Sequence, residues 1–246
     1  METFLKNHPF AVEAFFEKSI VLTFAVPKEQ LQNLIPACLT LDTHNDKWAF
    51  VAIALVQTKG LRPKGFPKFM GNDFFLIGYR IFVRYVNKAG KRLRGLYILK
   101  SETDKKKMEW LGNIFTHYNY TTTDILQTTD GSKTVIQSHQ SNFKIKMDNT
   151  DEAVALPENS PFADWKEARR FAGPLPFTFT YNADNKNVLI IEGVRENWIP
   201  KPLKINDYYF DFLEKMNLKG AVLANAFIIH NIPYHWKKGK IETWNS

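Results

Sequence analysis

Arg80 is the residue whose surroundings most demand a chemical explanation. It sits in the middle of Phe74–Val86, where strand alternation gives it Leu76, Gly78 and Phe82 as neighbours on one face. A guanidinium stays charged at any physiological pH. Among apolar neighbours it must therefore pair with an internal carboxylate or hold an anion from outside. A second candidate is Lys100-Ser101-Glu102-Thr103-Asp104, a polar cluster where an extended segment passes into a helical one. Sites often form at such junctions, and Glu102 is a carboxylate there that could move protons. Ser101 and Thr103 would equally serve as ordinary helix caps.

Other chemistry is poorly represented. The sequence holds no phosphate loop, GxGxxG, GxSxG or HExxH pattern. His230 and His235 lie on opposite faces of a regular strand with Pro233 between them, so neither a metal site nor a cofactor is expected. Cys38, the only cysteine, follows Pro36-Ala37 in an apolar setting and reads as a buried structural thiol.

The elements that would position Arg80 are mainly strands. Even positions Ala14, Phe16, Ile20, Leu22, Phe24 and Val26 are apolar, interrupted by Lys18, which is the period of a half-buried strand. Pro27 opens a short helix over Lys28–Ile35. Trp48–Val56 is apolar on both faces and predicts a strand covered on both sides. A Gly/Pro-rich loop leads from Gly60 to Gly71. Phe74–Val86 and Leu93–Ser101 form a hairpin whose two-residue turn, Ala89-Gly90, would pair Arg80 with Leu99, Phe82 with Tyr97 and Tyr79 with Lys100. A helix is expected over Thr103–Phe115, then strands near Tyr118–Thr123, Thr134–His139 and Asn142–Met147. Ser160-Pro161 would start a helix running to Phe171, closed by Gly173-Pro174. Phe177–Tyr181 and Val188–Glu192 predict a second hairpin, Asp207–Asn217 a helix and Ala221–His230 a last strand. Many strands without βαβ alternation make this an α+β protein, expected to be one domain over 1–246.

Composition sets limits on partners. With 44% hydrophobic residues in 246 the chain can bury a sizeable core, and its longest apolar run, Ala49–Val56, is too short for a membrane helix. The single cysteine and the absence of a secretory leader pattern point to a reducing, cytoplasmic setting. The net charge is +8, but the lysines are spread along the chain and interleaved with acids, so nucleic acid is not the expected partner. Polyanion binding through the Lys59–Lys68 loop is a weaker reading. A homo-oligomer is left open.

The order of several segments carries a resemblance. Phe24-Ala25-Val26-Pro27, Leu34-Ile35-Pro36, Leu39-Thr40-Leu41-Asp42, Trp48 with its strand, Gly60-Leu61-Arg62-Pro63-Lys64-Gly65-Phe66-Pro67, Arg80–Val83 and Gly95-Leu96-Tyr97 together resemble the YqjF-like family. These are conserved bacterial proteins of the acetoacetate decarboxylase-like superfamily. The resemblance implies a closed or nearly closed antiparallel β-cone with helices packed outside and a cavity within. Decarboxylases of that superfamily use a lysine in a Glu-x-Trp-Gly-x-Pro-Lys-type motif. The comparable stretch here, Glu109–Tyr118, places Ile114, Phe115 and Thr116 at the proline and lysine positions, so no catalytic residue carries over. His117 and Tyr118 lie close by and are candidates for the same cavity wall. The expected function is therefore binding of a small organic anion or apolar carboxylated ligand by Arg80, Glu102, His117 and Tyr118. The alternative is a lyase-like enzyme on a carboxylated molecule that works without a Schiff-base lysine.

Overall fold

The computed structural model describes residues 2–149, 153–173 and 175–244. Seven strands make its frame: β1 (Val12–Pro27), β2 (Trp48–Pro63), β3 (Asn72–Val86), β4 (Arg92–Thr103), β5 (Phe177–Asn182), β6 (Asn187–Arg195) and β7 (Val222–Trp236). They pair in chain order, and β7 pairs with both β6 and β1, which closes a ring of hydrogen-bonded strands. Every joint of the ring is antiparallel except β4–β5. The long connection at that parallel joint carries most of the remaining structure. It includes the helix Lys106–Phe115, the strands Leu126–Asp130, Lys133–Ser138 and Phe143–Asp148, and the helix Trp165–Ala172. Those three strands and Lys204–Phe210 form a second, antiparallel sheet. The whole is a single α+β domain.

Alternation along β2 decides what lies inside the ring. Ala52, Ala54 and Val56 face the interior, while Ile53 and Leu55 face outward into the core shared with the second sheet through Ile136, Ile145 and Phe210. Both faces of β2 are thus buried, which is why its sequence is apolar without alternation. The helix Trp165–Ala172 closes on the interior through Ala168 and Ala172, packed with Phe50, Phe82 and Phe162.

Local expectations were corrected in several places. Lys28–Ile35 forms two 3-10 turns, Lys28–Gln30 and Gln32–Leu34, and the helix after β4 starts at Lys106 because β4 continues to Thr103. The helix before Phe171 begins at Trp165, capped by Asp164 accepting from the Glu167 N–H at 2.7 Å. Ser160 instead donates to the Ala224 carbonyl. The expected stop at Gly173-Pro174 includes Pro174, which lies outside the described residues. Asp207–Phe210 is strand and only Asp211–Met216 is helical, while β7 runs on to Trp236.

The β3–β4 hairpin departs from a simple two-residue turn twice, and the departures cancel. Asn87 and Lys91 bracket a three-residue loop with Gly90 at φ 73°, which shifts the pairs to Arg80–Ile98 and Phe82–Leu96. A bulge at Leu99 then restores the Tyr79–Lys100 pair. Without that bulge Lys100 would share Arg80's face. With it, Lys100 turns outward and Ser101 reaches the interior.

Candidate functional site

Residues from all seven ring strands line one cavity of about 120 Å³. Its walls are largely apolar, with Ala52, Ala54, Val56, Leu96, Ile98 and Phe227 among them. Into this setting project Arg80 from β3 and Arg195 from the end of β6. Among the described residues neither has a carboxylate within salt-bridge distance, and no Asp or Glu lines the cavity. The contrast with two other arginines is plain. Arg84 and Arg94 both pair with the fully buried Asp42, at 2.5 and 2.6 Å.

Four buried donors of the wall have no protein partner among the described residues: Arg80 Nε, Arg195 Nε, Trp198 Nε1 and the Tyr118 hydroxyl. Arg195 is held by one hydrogen bond, from Nη2 to the Leu175 carbonyl at 3.2 Å, and by stacking over Trp198 at 4.5 Å and Tyr234 at 5.4 Å. Burial pulls the Arg80 pKa below its ordinary value, and the repulsion from Arg195 acts in the same direction. Tyr234, Tyr120 and Tyr118 act against that fall. Burial raises the Tyr118 phenol well above its usual range and Tyr120 to about 12, so both are protonated donors at neutral pH. The Thr178 hydroxyl is near Tyr118 and favours its ionised form slightly, but the two lack hydrogen-bond geometry.

Arg80 and Tyr118 therefore share the cavity wall, and two of the expected residues lie elsewhere. Glu102 is on the opposite face of β4, fully buried between the ring and the second sheet. It accepts from Lys100 Nζ at 2.5 Å, Ser141 Oγ at 2.6 Å and Tyr79 Oη at 3.0 Å. Those three donors satisfy it, so its role in the structure is to fasten the two sheets. His117 does not line the cavity either; burial lowers its pKa, and Lys6 adds to the effect. Sequence reasoning missed Arg195 and Trp198. Gly193-Val194-Arg195 has the Gly-x-Arg spacing of Gly78-Tyr79-Arg80, but Gly60-Leu61-Arg62 and Gly90-Lys91-Arg92 share it, so that spacing alone does not single Arg195 out.

Among the described residues no helix is long and apolar enough to cross a membrane, and no group of three metal-ligating side chains occurs.

A ring of this topology with helices on its connections defines the class, an acetoacetate decarboxylase-like fold. The chain is similar to an acetoacetate decarboxylase from Legionella pneumophila, with a TM-score of 0.61 at 10% identity over 95% of this chain and 88% of that one. It is also similar to the enduracididine biosynthesis enzyme MppR with HEPES buffer bound, with a TM-score of 0.59 at 10% identity over 96% and 88%. A second acetoacetate decarboxylase structure gives a TM-score of 0.58 at 12% identity over 94% and 89%. The chain itself belongs to the DUF2071 family of uncharacterised conserved proteins, whose pattern it matches over residues 14–230. A comparison with curated proteins found no match.

Proposed function

We propose that the ring interior binds a small organic anion, a carboxylate with a short apolar body. One observation carries this reading: the buried Arg80 guanidinium and the half-buried Arg195, whose Nε is enclosed, face one largely apolar cavity that no carboxylate lines among the described residues. Burying an unpaired charge is costly, and two like charges in one cavity compound the cost. An anion between them would relieve both burial and repulsion. The unpartnered Trp198 Nε1 and Tyr118 hydroxyl would add neutral donors. Size limits the ligand, because an engineered cavity of about 150 Å³ accommodates benzene. At about 120 Å³ the space here suits a molecule of no more than about six non-hydrogen atoms.

A lyase acting on such an anion is the second reading. It is favoured by the Tyr118 hydroxyl, a protonated donor with no protein partner in the same wall as Arg80. The structural neighbours named acetoacetate decarboxylases lend it context. Chemistry through a Schiff base is not supported, since no lysine is among the residues that line the cavity. The buried Cys38, its thiol pushed up to about 11 by burial, is consistent with a reducing, cytoplasmic setting.

Titration calorimetry with straight-chain carboxylates from acetate to hexanoate tests the binding reading. The native protein should bind at least one of them. Arg80→Ala and Arg195→Ala should each weaken that binding by about tenfold or more, as expected for removal of a charged hydrogen-bonding partner. Equal binding by native protein and both variants would contradict it.

A further inference from the structure

A second cavity of about 240 Å³ adjoins the first and shares Ala172, Gly173, Trp198 and Phe227 with its wall. Its rim carries exposed Lys166 and Arg169, and its inner wall carries Asn225 of β7. Asn225 is only 1% exposed, yet neither its amide nitrogen nor its amide oxygen has a hydrogen-bond partner among the described residues. It stands beside Thr23 of the neighbouring strand β1, whose buried hydroxyl is also without a partner among the described residues. Strand alternation sets Asn225 on the interior face with Phe227, just after a bulge at Ala224. A buried amide that is not hydrogen-bonded destabilises the protein, and an apolar residue there would not.

The polar groups are spread over both walls. Arg80 and Arg195 stand in the first cavity, Trp198 belongs to both walls, and Asn225 stands in the second. A primary amide side chain presents one donor edge and one acceptor edge in a single plane. The group that satisfies both together is another donor–acceptor edge of the same kind. Resting on the anion reading above, we propose that the two cavities form one binding channel for a bifunctional ligand. Its carboxylate lies between Arg80 and Arg195, and a carboxamide-type group at its other end pairs with Asn225. The basic rim of Lys166 and Arg169 attracts the anion to the entrance.

The test uses matched probes. Succinamate, glutaramate and adipamate are titrated beside carboxylates of the same chain length that carry an isopropyl group in place of the carboxamide. In the native protein one carbamoyl carboxylate should bind about tenfold more tightly than its isopropyl partner, the difference two hydrogen bonds would make. Asn225→Leu should abolish that preference. Binding of the isopropyl series with no carboxamide preference in native protein would overturn the inference and leave the anion reading standing. A preference that survives in Asn225→Leu would also overturn it. If native protein binds neither series, the anion reading fails and this inference fails with it. The native comparison decides even if the variant does not fold.

Discussion

The Arg80 guanidinium folds back across Gly78, two residues earlier on the same face of β3. A Cβ added at Gly78 would stand 2.7 Å from Arg80 Nε and 2.8 Å from Nη2, closer than side chains pack. Gly78 is therefore part of the proposed anion site although it offers no side chain. Gly78→Ala should displace the guanidinium, the mobile end of a long side chain, and leave the strand in place. The expected outcome is carboxylate binding weakened about tenfold or more, with far-UV circular dichroism and unfolding midpoint close to native. Native affinity in Gly78→Ala would contradict this placement of Arg80.

A site that holds unpaired charge should cost stability when no anion is bound. Arg80→Met removes one of two mutually repelling cations and keeps much of the side chain's volume. Replacing buried charges by apolar residues of similar size is often neutral or stabilising, by about 1–4 kcal/mol. Urea unfolding without added anion should show Arg80→Met at least as stable as native protein. A loss beyond about 1 kcal/mol would mean that Arg80 is satisfied within the protein.

Glu102 makes the opposite prediction. Its fully buried carboxylate accepts from Lys100, Tyr79 and Ser141, so Glu102→Ala leaves the Lys100 ammonium and the Tyr79 hydroxyl without this partner, while Ser141 keeps Thr123. The cost should be about 3–5 kcal/mol, with carboxylate affinity unchanged in the protein that remains folded. Weakened ligand binding at native stability would return Glu102 to the site.

His8 sets a pH dependence. Burial lowers its pKa from 6.5 to about 4. Between those values the unfolded chain binds a proton at His8 that the folded protein does not, so stability falls as pH drops from about 6.5 towards 4. The loss reaches about 3 kcal/mol at most. His8→Asn suits the position, where φ is 53°, and cannot be charged. Its stability should depend less on pH in this range, as read from urea unfolding at pH 7 and pH 4.5. An identical loss in both proteins would contradict the assignment.

How far the sequence reveals this arrangement depends on the range of the interactions involved. Arg80 was legible because a charge among Leu76, Gly78 and Phe82 stands out within one strand. Arg195 was not, because Glu196 follows it and the pair resembles an ordinary polar strand end. Only the β6–β7 pairing, between segments about 40 residues apart, brings it inside. Lys18 looked like an interruption in one apolar face. It stands at a bulge, so Ala14 and Phe16 face inward while Ile20, Leu22 and Phe24 face outward. Glu102 is a different case: the expected Tyr79–Lys100 pair already puts Lys100 and Glu102 on the face opposite Arg80, and the loop and the Leu99 bulge cancel so that this side is kept. What the sequence does not show is the set of donors there, because Ser141 comes from a separate sheet.

In the proposed site Arg80 and Arg195 together hold a carboxylate inside the strand ring. Crystals soaked with 3-bromopropionate test it most directly, because anomalous scattering locates the bromine without ambiguity. One bromine site is expected within the ring cavity, with a carboxylate within hydrogen-bond distance of both guanidinium groups. Bromine found only on the surface, with Arg80 and Arg195 engaged by groups of the protein itself, would contradict it.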